Sequence, residues 1–153
     1  MHVSYGIMKL KSIANVACIL AMLIASSGVC VPVFGSPVED IHSPRTIVMF
    51  GANWCAPCRV ELRQLSSLAA AASPDRLVVA WIDREPLNRP VSPWANVVFI
   101  PPFEAQREFR AIAGGNYGLP VAAMFDRQGK LCNLVRYPLS PEVVVRLKAG
   151  CAT

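Results

Sequence analysis

The sequence has few charged residues and few of the side chains that bind metal ions. Only 16% of its 153 residues are charged, two are histidine, and it has a single C-x-x-C pair. A closed zinc site needs four ligands, usually cysteine and histidine, and this chain offers no second pair to complete one. The formal net charge of +5 comes without a cluster of basic residues, which argues against nucleic acid as a partner. We expect no metal and no cofactor.

The longest uncharged apolar run lies near the start of the chain. It extends from Ser12 to Phe34 and follows Lys9 and Lys11. Basic residues, an apolar run and then small residues are the pattern of a secretory signal peptide. The run is also long enough to span a bilayer, which takes about 20 residues, so an uncleaved membrane anchor is the alternative for residues 1–35. Both readings place the rest of the chain outside the cytoplasm, in the periplasm or an equivalent compartment.

Residues 46–153 are predicted to form one α/β domain, which follows a proline-containing linker at 36–45. The predicted order of elements is β-α-β-α-β-β-α. It rests on strand-like or helix-like patterns at 46–50, 59–72, 76–83, 103–115, 120–125, 131–137 and 140–150. The segment 84–102 contains five prolines and is predicted to be an ordered surface excursion, not a central strand or a continuous helix.

The C-x-x-C pair, Cys55 and Cys58, lies between a predicted buried strand and a predicted helix. Unpaired backbone N–H groups at a helix N-terminus favour a thiolate over a thiol, so Cys55 is predicted to be the nucleophile. Cys58 comes one turn later and is placed to attack a mixed disulfide on Cys55. Pro57 favours the start of a helix, where its missing N–H costs no hydrogen bond.

At this point the sequence resembles the thioredoxin family. The resemblance covers Thr46 to Ala149 and rests on the segments TIVMF, WCAPCR, YGLPV and MFDRQGKL. It implies a thioredoxin fold, with a central mixed β-sheet flanked by helices. WCAPCRVEL behind an export leader resembles the TlpA-like extracytoplasmic thioredoxins, which are usually thiol-disulfide reductants that serve cytochrome c maturation or other envelope thiols.

The resemblance also implies roles for residues around the pair. Pro120, after Leu119, corresponds to the cis-proline whose neighbouring backbone contacts an incoming peptide. Trp54 corresponds to the tryptophan that packs beside the pair, with a plain surface tryptophan as the alternative. The implied partners are protein thiols and disulfides of the envelope, together with a membrane electron donor if the protein is a reductant. We expect a monomer.

The chain departs from the family at the residue that handles a proton. Thioredoxins proper carry a buried aspartate that assists proton transfer from the second cysteine, and this chain has Met49 there. Glu61, one turn beyond Cys58, is the nearest candidate for a substitute. The alternative is that Glu61 is an exposed helical carboxylate paired with Arg59 or Arg63.

Two further cysteines, Cys132 and Cys151, are predicted to form a structural disulfide. Without the leader the chain has four cysteines, and an even number in an oxidising compartment favours a second bridge. The strand at 131–137 and the helix at 142–150 return the chain to one side of the sheet, within reach of a short tail. The alternative is two unpaired thiols.

The direction of electron flow is the main functional alternative that the sequence leaves open. Ala56-Pro57 between the cysteines is closer to the Gly-Pro of reductants than to the Pro-His of strong oxidants, which favours a protein-disulfide reductase. A disulfide oxidase or isomerase and a copper or metal carrier that uses the C-x-x-C pair are the alternatives. A measured reduction potential would distinguish the reductase from the oxidase or isomerase.

Overall fold

The apolar runs of the sequence form one mixed β-sheet. A computed structural model of the protein describes residues 40–91, 94–114 and 118–152. The strands among these residues are β1 Thr46–Gly51, β2 Arg76–Trp81, β3 Val97–Ile100, β4 Val121–Phe125 and β5 Leu131–Val135. Their order in the sheet is β3-β2-β1-β4-β5. The contacts of β2 with β1 and β3 are parallel, whereas those of β4 with β1 and β5 are antiparallel.

Helices cover both faces of this sheet. In the described residues they are α1 Ala56–Arg63, α2 Leu65–Ala72, α3 Pro102–Ala113 and α4 Pro141–Gly150. Successive side chains of a strand point to opposite faces. In β1, Ile47 and Met49 therefore belong to the core under α1, α2 and α4, and Val48 and Phe50 to the core under α3. The predicted α/β class and the central mixed sheet flanked by helices are confirmed.

The predicted element order is corrected first in the helix that follows β1. One helix was predicted over residues 59–72, and the structure has two, which are separated at Gln64. The Gln64 N–H bonds both Val60 O and Glu61 O, and its backbone dihedrals (φ −94°, ψ 12°) end α1. The sequence has no glycine or proline at this point, so the usual signal for a helix end is missing.

The second correction concerns the proline-rich segment 84–102. Its residues 97–100 form β3, an edge strand beside β2 that the predicted order omits. Four apolar residues without a proline are enough for a short edge strand, and Pro101 and Pro102 end it. The prolines of the segment therefore mark the limits of the strand and do not exclude it.

Residues 40–45, the described part of the predicted linker, pack on the sheet. Ile41 is buried in the core under α3. The Arg45 N–H donates to Asp126 O over 2.8 Å, which ties the segment to the turn after β4. No helix of the described residues is long and apolar enough to cross a membrane, and the predicted leader at 1–35 lies outside those residues.

Candidate active site

The two cysteines of the C-x-x-C pair lie where the central strand gives way to a helix. β1 ends at Gly51, and Cys55 is the N-cap residue of α1. Gly51 packs directly against Trp81, and any Cβ there would overlap the indole ring. Cys55 and Cys58 are joined by a disulfide, with their Cα atoms 5.3 Å apart. The position between strand end and helix start is the one that the sequence predicts.

The environments of the two sulfur atoms differ. Cys55 Sγ accepts a hydrogen bond from the Cys58 N–H over 3.3 Å, so it occupies the place of an N-cap oxygen. Such a bond and the helix N-terminus both stabilise negative charge on that sulfur. Cys58 is fully buried, while Cys55 keeps 4% of its surface exposed. Of the two, Cys55 is the residue that keeps contact with the surface. Pro57 lies in the first turn of α1, as predicted.

Pro120 lies next to the end of β1 on the side opposite β2. The Leu119–Pro120 peptide bond is cis, and Pro120 is buried. β4 begins at the following residue, and Val121 pairs with Phe50 in the antiparallel register. This register places Pro120 beside Gly51, at the end of β1 from which the chain continues to the cysteine pair.

Trp54 immediately precedes Cys55 and is mainly a surface residue. Its side chain is 67% exposed. An exposed indole next to Cys55 offers an apolar, flat contact area to another protein. The sequence prediction placed Trp54 beside the pair, and the structure puts it at the rim of the site.

Glu61 is buried, which contradicts the alternative of an exposed carboxylate paired with Arg59 or Arg63. Its side chain turns into the protein, and Glu61 is only 3% exposed. Glu61 Oε1 accepts a hydrogen bond from the Leu139 N–H over 2.5 Å, and Oε2 is buried without a partner among the described residues. Burial raises the pKa of Glu61 from 4.5 to about 7, and the bond from Leu139 opposes that rise.

The position of Glu61 relative to Cys58 follows from the helix. Residues three apart lie on the same face of a helix, and both side chains are buried. Met49, the residue at the place of the thioredoxin aspartate, is packed into the same core as Cys58. The structure therefore puts a buried carboxyl group with a pKa near neutrality on α1, on the face that carries Cys58.

Asn53 is a site residue that sequence reasoning missed. Its N–H and its side-chain amide donate to the Asp83 carboxylate over 3.0 and 3.3 Å. Its amide also donates to Glu85 O, while Asn53 Oδ1 accepts from the Leu87 N–H over 3.0 Å. Asn53 thus fixes the loop after β2 against the loop that carries the cysteines. The available signal was the placement of two polar residues, Asn53 and Asp83, after adjacent parallel strands.

The second cysteine pair lies away from this site. Cys132 on β5 and Cys151 after α4 are joined by a disulfide, with Cα atoms 5.7 Å apart and a sequence separation of 19. Among the described residues, no group of three or more histidine, cysteine, aspartate or glutamate side chains is placed to hold a metal ion.

Comparisons with known proteins identify the fold. No protein-family model and no curated protein match the chain. Among solved structures, DsbF of MTB in its mixed oxidized and reduced forms matches with a TM-score of 0.53 and 21% identity, over 72% of this chain and 82% of that one. StoA from Bacillus subtilis matches with a TM-score of 0.50 and 16% identity, over 72% and 86% of the two chains.

A third solved structure of similar fold is named a thioredoxin. The pneumococcal exposed lipoprotein thioredoxin from Streptococcus pneumoniae strain TIGR4 matches with a TM-score of 0.50 and 18% identity, over 73% of this chain and 89% of that one. These similarities agree with the sheet order, the flanking helices and the place of the cysteine pair. The chain has the thioredoxin fold, with a C-x-x-C disulfide at the start of its first described helix.

Proposed function

We propose that this protein is a thiol-disulfide oxidoreductase that acts outside the cytoplasm and reduces or exchanges disulfides in partner proteins. The observation that carries the proposal is the position of Cys55. Its sulfur caps a helix, Cys55 is the more exposed residue of the pair, and Cys58 is buried one turn beyond it. This arrangement gives a nucleophile that meets the partner disulfide and a second thiol placed to attack the mixed disulfide on Cys55.

In the proposed reaction the Cys55–Cys58 dithiol supplies two electrons. The Cys55 thiolate attacks one sulfur of the partner disulfide, so a mixed disulfide forms and the partner's other sulfur leaves as a thiolate. The Cys58 thiolate then attacks Cys55 Sγ, which closes the intramolecular disulfide and releases the second partner thiolate. The partner is reduced, the protein is oxidised, and the two thiol protons pass to the partner's sulfur atoms. A membrane electron donor is the proposed source of the electrons that restore the dithiol.

Glu61 is the proposed proton acceptor for Cys58, in the role that an aspartate has in thioredoxins proper. It is buried on the Cys58 face of α1, and its pKa of about 7 lets it take and return a proton near neutral pH. Pro120 is the proposed contact for the partner backbone, because it lies at the sheet edge next to the cysteine loop. Leu119 precedes Pro120 in the sequence, and Trp54 precedes Cys55.

The location outside the cytoplasm has two supports besides the predicted leader. Disulfides that are not catalytic persist in oxidising compartments and are rare in the cytosol, and the Cys132–Cys151 disulfide lies away from the site. One protein of similar fold is named an exposed lipoprotein.

Ala56-Pro57 between the cysteines favours a reductant over an oxidase or isomerase, as the sequence predicts.

Trapping the intermediate tests this function. A Cys58→Ser variant with a free Cys55 should accumulate a mixed disulfide with a disulfide-bonded substrate protein such as insulin, because the second attack is removed. A Cys55→Ser variant is the matched control and should accumulate none. A Cys58→Ser protein that forms no mixed disulfide, together with a native protein that fails to reduce the substrate, would exclude the proposal.

A further inference from the structure

The geometry points to a binding site for a carboxylate side chain of the partner peptide, in a cavity beside the cysteine pair. The inference rests on the proposed function and names its substrate class: partner segments with an acidic residue close to the disulfide. The cavity has a volume of about 240 Å³ and lies between α1 and the loop after β2. It is lined by Asn53, Arg59, Leu62, Arg63, Trp81, Leu87, Asn88 and Pro90.

The first observation is the charge on the α1 wall of this cavity. Arg59 and Arg63 are exposed residues one helical turn apart, and the side chain of neither forms an ion pair or hydrogen bond with another residue in the described ranges. Like charges at this spacing repel each other, so the two arginines do not neutralise one another on α1. Glu61, the acidic residue between them in the sequence, turns into the core and accepts from Leu139 instead. Both guanidinium groups are therefore available to an anion.

The second observation is that the acidic residues at the loop wall are already bonded. Asp83 accepts hydrogen bonds from the Asn53 N–H, the Asn53 amide and the Arg84 N–H. Glu85 forms an ion pair with Arg89 at 3.0 Å. These carboxylates do not neutralise the two α1 arginines, and the cavity keeps an excess of positive charge that a partner carboxylate complements.

The third observation is that the cavity is preorganised and apolar at its floor. Trp81 is almost fully buried at its base, and Leu62 lies beside it. Asn53 holds the loop wall through the bond from the Leu87 N–H, and Leu87 itself is 67% exposed. A partner side chain that enters meets fixed walls, so little ordering is needed on binding.

The distance from the cysteine sets the position of the acidic residue in the partner. α1 rises about 1.5 Å per residue, so Arg59 and Arg63 lie roughly 6 and 12 Å along the helix from Cys55. An extended peptide covers about 3.3 Å per residue. The carboxylate therefore belongs about two to four residues from the partner cysteine that Cys55 attacks.

Three disulfide-bonded peptides test the inference. They are identical except for glutamate, glutamine or lysine at the third residue from the attacked cysteine, and reduction by the dithiol protein is followed under second-order conditions. Exposed ion pairs contribute modestly, so we expect the glutamate peptide to react about threefold faster than the glutamine peptide and about tenfold faster than the lysine peptide at low salt. Added salt should compress these ratios towards one.

Charge reversal locates the effect. An Arg59→Glu/Arg63→Glu variant should invert the order, with the lysine peptide fastest. The control, Arg110→Glu/Arg127→Glu, changes the net charge equally through exposed arginines at the end of α3 and in the β4–β5 turn, and should keep the native order. The ratio between peptides is the readout, because a change in the reactivity of the cysteines alters all three rates alike.

The outcomes separate the inference from the function on which it rests. Equal rates for the three peptides, or ratios that both double variants change alike, would overturn the carboxylate site while the reductase function stands. A native protein that reduces none of the peptides overturns the function. A single Arg63→Gln variant, which should lower the glutamate-to-lysine ratio about threefold, serves if the double variant does not fold.

Discussion

The two disulfides of this protein are the same bond in opposite surroundings. Cys55 is the N-cap of α1, where the helix end carries partial positive charge, and Cys151 is the C-cap of α4, where it carries partial negative charge. The first environment stabilises a thiolate and the second disfavours one. We expect the position on a helix to distinguish the reactivity of Cys55 from that of Cys151, since these two residues are about equally buried.

The neighbours of the two pairs reinforce the difference. Cys58 shares a buried helix face with Glu61, a group that can exchange a proton at neutral pH. Cys132 lies on the edge strand β5, and its bridge to Cys151 closes a loop across 19 residues. A short loop with a proton acceptor suits repeated opening, while a long loop without one gains the most from staying closed.

The largest predicted effect separates the pairs by activity. Cys55→Ser should lower the rate of disulfide reduction by at least about a thousandfold, because it removes the nucleophile. The Cys132→Ser/Cys151→Ser protein should keep its rate within about twofold, because neither sulfur takes part in exchange. Insulin reduction measures both. A comparable loss in the double variant would put the second pair into the reaction.

The next effect separates the pairs by stability. Loss of the Cys132–Cys151 bridge should lower the free energy of unfolding by about 3 kcal/mol, the value expected for a closed loop of about 20 residues. The Cys55–Cys58 bridge closes a much shorter loop, so opening it should lower the free energy of unfolding by less. Urea denaturation of each form measures the two changes. An equal or larger loss on opening Cys55–Cys58 would contradict the assignment of the second bridge as the structural one.

The Glu61 carboxyl, beside the Cys55–Cys58 pair, should make the free energy of unfolding depend on pH. Its folded-state pKa is about 7 against 4.5, so the folded chain keeps its proton where the unfolded chain has lost it. The stability that Glu61 contributes is full below pH 4.5 and falls as the pH rises to about 7, by up to about 3 kcal/mol. Glu61→Gln should abolish this fall in the oxidised protein, as urea denaturation across that range would show.

The same substitution should slow the reaction. With no carboxylate to accept the Cys58 proton, Glu61→Gln should lower the rate at pH 7 by at least about tenfold and remove the rise in rate near pH 7. Glu142→Gln, at an exposed carboxyl in the first turn of α4, is the matched control. An unchanged pH profile in Glu61→Gln would mean that Cys58 gives its proton to another group.

The smallest predicted effects come from side chains that hold loops in place near each disulfide. Asn53 holds the loop beside the first pair, and Lys148 donates to the carbonyls of Ala71, Ala72 and Ser73 near the second. Asn53→Ala and Lys148→Met should each lower the free energy of unfolding by about 1–2 kcal/mol. Only Asn53→Ala should also slow disulfide reduction. Slower disulfide reduction by Lys148→Met at equal stability would contradict the assignment of activity to the Cys55–Cys58 pair alone.

Local sequence signals were enough to predict the first region in outline. The apolar run of β1, the cysteine spacing and Pro57 act within a few residues, and the structure puts the pair at the predicted junction. The inward turn of Glu61 was not predictable, because its partner Leu139 is 78 residues away in the chain. The same reason hid Asn53, whose bonds reach the loop after β2. The edge strand β3 was missed because its four residues lie among prolines.

The most direct test of the contrast measures both disulfides in one experiment. The oxidised protein is equilibrated in a series of dithiothreitol redox buffers, free thiols are alkylated, and mass spectrometry determines which pair has opened. We predict that Cys55–Cys58 opens under conditions in which Cys132–Cys151 stays closed, because Cys55 has a helix N-terminus to stabilise its thiolate, whereas Cys132 lies on a strand and Cys151 at a helix C-terminus. Opening of both pairs together, or of Cys132–Cys151 first, would contradict the assignment.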